Sequence, residues 1–178
     1  MRKSIVIAFA IMIGLAGCKQ QQQKQTMDGP VAYPGGAPMI SPDQVRTLEG
    51  LAKANPKNVD GWIALGNALM DTQRFGEAVD AYQKALAIDP KNVDVRVDMG
   101  TCYRGIRQFD KALAEFRKAM KINPNHLNAH RNSGVVLAVD LNRKAEAIKE
   151  FEKYLELAPD APDAMQLRQS VKELKAAK

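Results

Sequence analysis

The feature that most constrains this chain is that it repeats itself every 34 residues. Residues 59–92 read VDGWIALGNALMDTQRFGEAVDAYQKALAIDPKN, and residues 93–126 read VDVRVDMGTCYRGIRQFDKALAEFRKAMKINPNH. At that offset Gly66 falls over Gly100, Phe75 over Phe109, Ala78 over Ala112, Tyr82 over Phe116, Ala85 over Ala119 and Pro90 over Pro124. A period of this length marks a stack of small supersecondary units, none of which buries its apolar face alone. Each unit reads as two helices. Trp62, Leu65 and Leu69 share one face of a 3.6-residue period, and Ala78, Tyr82, Ala85 and Ile88 share another. Gly66 and Ala78 are small where the two helices must approach closely. Pro90 and Pro124 end the second helices, because proline disfavours helix in the residue before it.

These residues resemble the tetratricopeptide repeat. That family places Trp or a similar residue, Leu-Gly, Tyr or Leu, Ala, an aromatic, Ala and Pro at set positions. The first repeat supplies Trp62, Leu65, Gly66, Leu69, Ala78, Tyr82, Ala85 and Pro90. The second supplies Met99, Gly100, Tyr103, Ala112, Phe116, Ala119 and Pro124, with Arg96 in the Trp place. A third copy, residues 127–161, has Gly134 and Leu137 in register, while Ala147, Phe151 and Pro159 arrive one residue late. An extra residue is therefore expected in the turn near Asp140 to Lys144. His130 stands in the Trp place, and Tyr154 stands where a close-packing Ala is usual, so that helix should meet an atypical neighbour. The resemblance implies an all-α fold, a right-handed superhelical solenoid of helix-turn-helix repeats with flanking capping helices.

The flanks read as those caps. Residues 41–58 open with Ser41, Pro42 and Gln44, an N-cap, a proline at the first helical position and a capping-box partner. Residues 162–178 carry Met165, Leu167, Val171 and Leu174 with a polar remainder, as suits a solvating last helix. Eight helices are expected.

Residues 1–17 have a different character. Arg2 and Lys3 precede the apolar run Ile5 to Ala16, which is too short to span a bilayer. A charged start, an apolar stretch and small residues before a cleavage point make a secretory signal. LAGC at residues 15–18 resembles the lipobox of bacterial lipoproteins, in which Cys18 becomes the first mature residue and bears the lipid. Two or more acyl chains anchor a protein stably where one does not. Residues 18–40, rich in Gln, Gly and Pro, read as a flexible tether. Such a tether spans roughly 25 Å root-mean-square. In Gram-negative lipoproteins, Lys19 after the cysteine resembles the default sorted to the outer membrane. The expected location is a bacterial membrane, facing the periplasm. Loss of the leader lowers the formal charge from +6 to +4, an excess that does not call for nucleic acid. Cys102 is then a lone cysteine in an oxidising compartment, and a buried small residue rather than a reactive one.

Catalytic patterns are lacking. His126 and His130 are spaced as two metal ligands on a helix would be, but no third ligand stands near, and they read as a turn histidine and a packing histidine. Asp94 and Asp98 lie one turn apart and read as a solvated face. No enzyme activity, metal or cofactor is expected. In the resembled family the first helix of each repeat lines a concave groove. Carried over, its ligand-facing positions are Asp60, Ile63, Asn67 and Met70, then Asp94, Val97, Thr101 and Arg104, then Asn128, Arg131, Val135 and Ala138. Asn67 would hold a peptide backbone, Arg104 and Arg131 a carboxylate, and Met70, Val97 and Val135 apolar side chains. Some members clamp a C-terminal carboxylate with two Lys, two Asn and an Arg. Only Asn67 fits that set, and Ile63, Asp98, Asn128 and Asn132 hold the other places.

The expected function is that of a membrane-anchored adaptor binding other envelope proteins, in assembly of a secretion, pilus or outer-membrane complex. The rivals are a scaffold for redox or cytochrome maturation and a self-associating structural lipoprotein, the latter motivated by Tyr154 and the last helix.

Overall fold

The computed structural model describes residues 40–176. The leader, Cys18 and the tether up to residue 39 lie outside the described residues. The described chain is entirely helical: α1 (Pro42–Ala54), α2 (Val59–Asp71), α3 (Phe75–Ile88), α4 (Val93–Gly105), α5 (Phe109–Ile122), α6 (Leu127–Val135) continued by a π turn (Val136–Asp140), α7 (Lys144–Leu157) and α8 (Ala164–Ala176). None of these helices is long and apolar enough to cross a membrane.

The helices start where side chains satisfy free backbone N–H groups. At α1 the Ser41 hydroxyl accepts from the Gln44 N–H at 3.2 Å, and the Gln44 side chain accepts from the Ser41 N–H at 2.7 Å. Asn58, Asn92 and His126 occupy one register position, and each accepts from a backbone N–H in the first turn of α2, α4 or α6. Such a cap contributes about 1 kcal/mol. First helices end on a left-handed residue, at Gln73, Arg107 and Asn142. In the first two repeats the Arg74 and Gln108 N–H groups reach back to the Leu69 and Tyr103 carbonyls, closing the chain reversal of a Schellman end.

Helix pairs α2–α3, α4–α5 and α6–α7 form the hairpins, and each second helix packs on the next first helix. First helices of successive repeats also touch, α2 with α4 and α4 with α6, while successive second helices make no comparable contact. The stack therefore bends with the first helices on the inside. Within each hairpin a glycine lies directly against the side of an aromatic ring. A Cβ at Gly66, Gly100 or Gly134 would lie 2.5, 2.5 or 2.4 Å from the rings of Tyr82, Phe116 and Phe151 respectively. All three rings are fully or almost fully buried.

The extra residue of the third repeat is not in the turn. Each hairpin turn keeps three residues, 72–74, 106–108 and 141–143. The insertion instead widens the last turn of the first helix, where the Leu141 N–H bonds to the Val136 carbonyl at 3.0 Å and the Arg143 N–H to the Leu137 carbonyl at 2.6 Å. The glycine–ring contact fixes the helix upstream and the left-handed Asn142 fixes the turn downstream. Only the segment between them is left to absorb an extra residue, and a π turn does so without opening the backbone hydrogen bonds.

Two measurements test this packing. Gly100→Ala should cost about 2–3 kcal/mol by overpacking, and Phe116→Leu in that background should restore part of it. Gly50→Ala, which meets nothing within 4 Å in α1, should instead stabilise by about 0.5–1 kcal/mol. Urea unfolding midpoints read both. Cys102 is 0% exposed, and burial, with the Asp98 charge adding to it, pushes its thiol up to about 12. The peptide carrying Cys102 should stay unlabelled by a maleimide at pH 8 in the native protein and label fully in urea.

Candidate binding groove

The inner side of the stack is built from α2, α4, α6 and the start of α8, and its side chains fall into three groups. The first is absorbed by the core. Met70 and Val97 are 8% and 2% exposed, so they support the stack from beneath and present little apolar surface. Val135, Ile63 and Ala138 are half-buried against the same core.

The second group is held by the chain's own polar groups. Arg104 Nε donates to Asp140 Oδ2 at 2.6 Å, and Arg131 Nε donates to Asp163 Oδ2 at 2.6 Å. Asp163 also accepts from the Tyr154 hydroxyl at 2.6 Å. Burial works against the Asp163 charge, but the Tyr154 hydroxyl and the Arg131 guanidinium together hold its carboxyl below the usual range. Burial first, and then its bond to Asp163, push the Tyr154 hydroxyl up to about 12, so it remains a donor. Tyr154, 6% exposed, thus uses the space of the usual alanine to fasten α7 to the start of α8. Thr101 accepts from the Asn132 side-chain amide at 3.2 Å. His126 accepts the Ala129 N–H on Nδ1 at 3.2 Å, which leaves Nε2 to donate to Asp94 Oδ1 at 2.8 Å.

The third group remains open. Asp60, Asn67 and Asn128 are exposed. Asn67 Oδ1 accepts the Tyr82 hydroxyl at 2.7 Å, which orients the amide and leaves its N–H donors for the groove. Asp98, half-buried on α4, has no ion-pair or hydrogen-bond partner among the described residues. Burial pushes its carboxyl up to about 6; the Asp94 charge adds to that, His126 opposes it and Asp71 adds again. Asp98, Asp140 and Asp163 are acids of this surface; Asp98 was expected there as the occupant of a clamp position, whereas Asp140 and Asp163 were not among the predicted ligand-facing positions. Asp163 was legible in one respect: it follows Pro159 with the spacing that puts Asp94 after Pro90.

The two residues in the Trp place explain themselves beside this surface. Trp62 Nε1, an Arg96 guanidinium nitrogen and His130 Nε2 each lie 2.6–3.0 Å from the carbonyl of the proline six residues upstream, Pro56, Pro90 and Pro124. The residue facing each across the hairpin changes with it: Ala81 stands in the register position of Glu115 and Glu150, which bond to Arg96 at 3.1 Å and His130 at 2.7 Å. Both histidines are engaged on both ring nitrogens by groups of this chain. No group of three His, Cys, Asp or Glu suited to a metal ion occurs among the described residues.

Two profiles described as tetratricopeptide repeat match the chain, one over residues 69–131 and one over residues 133–161, together just over half of it. Solved structures with the same fold include MamA, with a TM-score of 0.68 at 22% identity over 75% of this chain and 77% of that one. The TPR domain of Arabidopsis OM64 matches with a TM-score of 0.62 at 22% identity, over 67% of this chain and 98% of that one. The first TPR of Spaghetti (RPAP3), bound to the HSP90 peptide SRMEEVD, matches with a TM-score of 0.63 at 24% identity, over 67% and 96%. No curated protein matches the sequence.

Asp98 gives a pH test with a definite sign. Its folded value, about 6, lies above the ordinary 3.8. The unfolded chain therefore releases this proton first, and the carboxyl removes stability as pH rises from about 4 to about 6. Asp98→Asn should raise stability by up to about 3 kcal/mol at pH 7 and leave it unchanged below pH 4. Urea midpoints of the two proteins from pH 3.5 to 8 measure the difference.

Proposed function

Because the chain belongs to the tetratricopeptide-repeat family, we propose that it is a membrane-anchored scaffold that grips other cell-envelope proteins in its concave groove. Cys18 is its lipid attachment point, and its work is assembly of an envelope complex rather than a reaction. The observation that carries this reading is the inner face of α2, α4 and α6. It leaves Asn67 and Asn128 exposed and Thr101 and Val135 half-covered on a surface that the stack itself does not fill. Extended concave faces of this kind are what stacked repeats use to hold partners.

The ligand is a neutral or basic segment of a protein chain. Both inner arginines already commit their Nε–H to Asp140 and Asp163, so much of their charge is offset before a carboxylate arrives. Asp98 stands in one of the clamp positions and would repel an acidic peptide such as the one bound to RPAP3. Of the two features that motivated a self-associating element, Tyr154 is satisfied internally by its bond to Asp163, while the last helix leaves Met165 exposed.

Crosslinking in native membranes followed by affinity capture and mass spectrometry tests the reading. Asn67→Lys with Asn128→Lys fills the groove and leaves the inner ion pairs intact. It should reduce captured partners by about tenfold or more, with the helical fold retained by circular dichroism and the melting temperature lowered only by the loss of the Asn67–Tyr82 bond. Partners that survive this change but vanish with Cys18→Ala would place the contact elsewhere on an anchored protein. Capture of this chain alone, with a dimer in sedimentation, would move self-association to the front.

A further inference from the structure

The outer side of the stack is made of second helices, and its charge is unevenly spread. On α5, Lys111, Arg117, Lys118 and Lys121 are all exposed, and Asp110 is the one exposed acid of that helix. Glu115, the other acid, is 7% exposed and shared between Arg96 and Lys118, so it offsets part of the Lys118 charge and leaves Lys111, Arg117 and Lys121 in excess over Asp110. The flanking helices differ. On α3 the exposed Lys84 is accompanied by Glu77 and Asp80, and on α7 the lysines alternate with glutamates. Ile122 follows Lys118 by one helical turn on the same face and is 41% exposed. A basic, outward-curving face with an aliphatic side chain at its end has the composition of a surface that meets lipid headgroups.

We propose that the outer face of α5 rests on an anionic lipid surface, so that the groove opens away from the membrane. This rests on the lipid-anchor reading of Cys18. An anchor 23 residues before Ser41 keeps the domain within roughly 25 Å of the headgroups. That is a few Debye lengths, short enough for frequent contact with a field that acts within about one of them. An acidic protein is the less apt occupant, because the tether holds lipid rather than a freely diffusing protein at high effective concentration beside this face.

The test uses the full chain, expressed with its leader and reconstituted in vesicles of phosphatidylcholine alone or mixed with phosphatidylglycerol. Intact mass of the N-terminal peptide reports the lipid independently. An amine-reactive reagent then maps lysine exposure. Lys111, Lys118 and Lys121 should label about tenfold or more slowly in the anionic vesicles at low salt, at an attraction of about fivefold per basic residue. The contrast should vanish in phosphatidylcholine and in high salt, and Lys53 and Lys172 should label alike throughout. Changing Lys111, Arg117 and Lys121 to Gln should abolish the contrast at Lys118. If the peptide proves unlipidated, the anchor reading fails on its own, and sedimentation of the free chain with the same vesicles still tests the face, where greater binding to anionic than to neutral vesicles is expected. Equal labelling of a lipid-bearing chain in both vesicles would overturn the proposal. So would protection that survives the triple change, or protection conferred by an acidic protein and not by lipid.

Discussion

The contact on which the rest of the structure depends is a glycine pressed against the side of an aromatic ring, repeated in every hairpin. Gly66 and Tyr82, Gly100 and Phe116, Gly134 and Phe151 bring the two helices of each repeat closer than any side chain would allow. Each ring is buried, so the contact fixes the spacing of the hairpin that stacks on the next. Its influence is clearest where the sequence departs from its period. One residue too many had to enter the third repeat without moving Gly134 off Phe151 and without disturbing the left-handed turn at Asn142. The widened turn at Val136–Asp140 satisfies both demands. It also carries Asp140 to where it meets Arg104.

A second regularity lies in hydrogen bonding rather than shape. The Trp place is a donor position: indole, guanidinium and imidazole all reach the carbonyl of the proline that ended the previous unit. Indole does this from an apolar surface, so Ala81 suffices beside it. A buried guanidinium needs a counter-charge, which Glu115 supplies to Arg96 in the second repeat, and in the third Glu150 bonds to the second ring nitrogen of His130. The exchange is not free of cost, since Arg96 Nε is buried without a partner. A tryptophan replaced by a charged residue is therefore not a weakened repeat but a different solution to one constraint.

The stack was legible in the sequence because its determinants are periodic. Glycine, aromatic, alanine and proline recur at fixed intervals, and the caps at Ser41 and Asn92 follow from local chemistry. The paired exchange of Trp62 with Ala81 for Arg96 with Glu115 was also written there, at 34-residue spacing, but as two departures in separate helices rather than one substitution. The extra residue was detected and misplaced. Sequence counts residues between landmarks, whereas the structure decides which stretch yields, and here the helix yields before the turn. The groove was less legible. Inward-facing register alone did not reveal that Met70 and Val97 sink into the core, nor that Asp140 and Asp163 hold the arginines. Those facts depend on how neighbouring repeats tilt, which no single repeat encodes.

The internal pairing of the arginines has a consequence for how the groove can select a partner. Arg104 and Asp140 are 18% and 16% exposed, so each is already partly desolvated and compensated. A ligand carboxylate on the Nη groups of Arg104 would meet a charge that Asp140 already offsets through Nε and would sit beside that carboxylate, so its net gain would be small. On the proposed reading, selectivity then falls mainly to uncharged groups whose bonds are not yet made. These are the Asn67 amide, whose oxygen is fixed by Tyr82 and whose N–H donors are not, and the Asn128 side chain. Amides of this kind suit the backbone of an extended chain more than any one side chain, since every residue but proline offers the same donor and acceptor. Such a groove would tell partners apart mainly by shape and by rejection of acidic side chains near Asp98, and only secondarily by sequence.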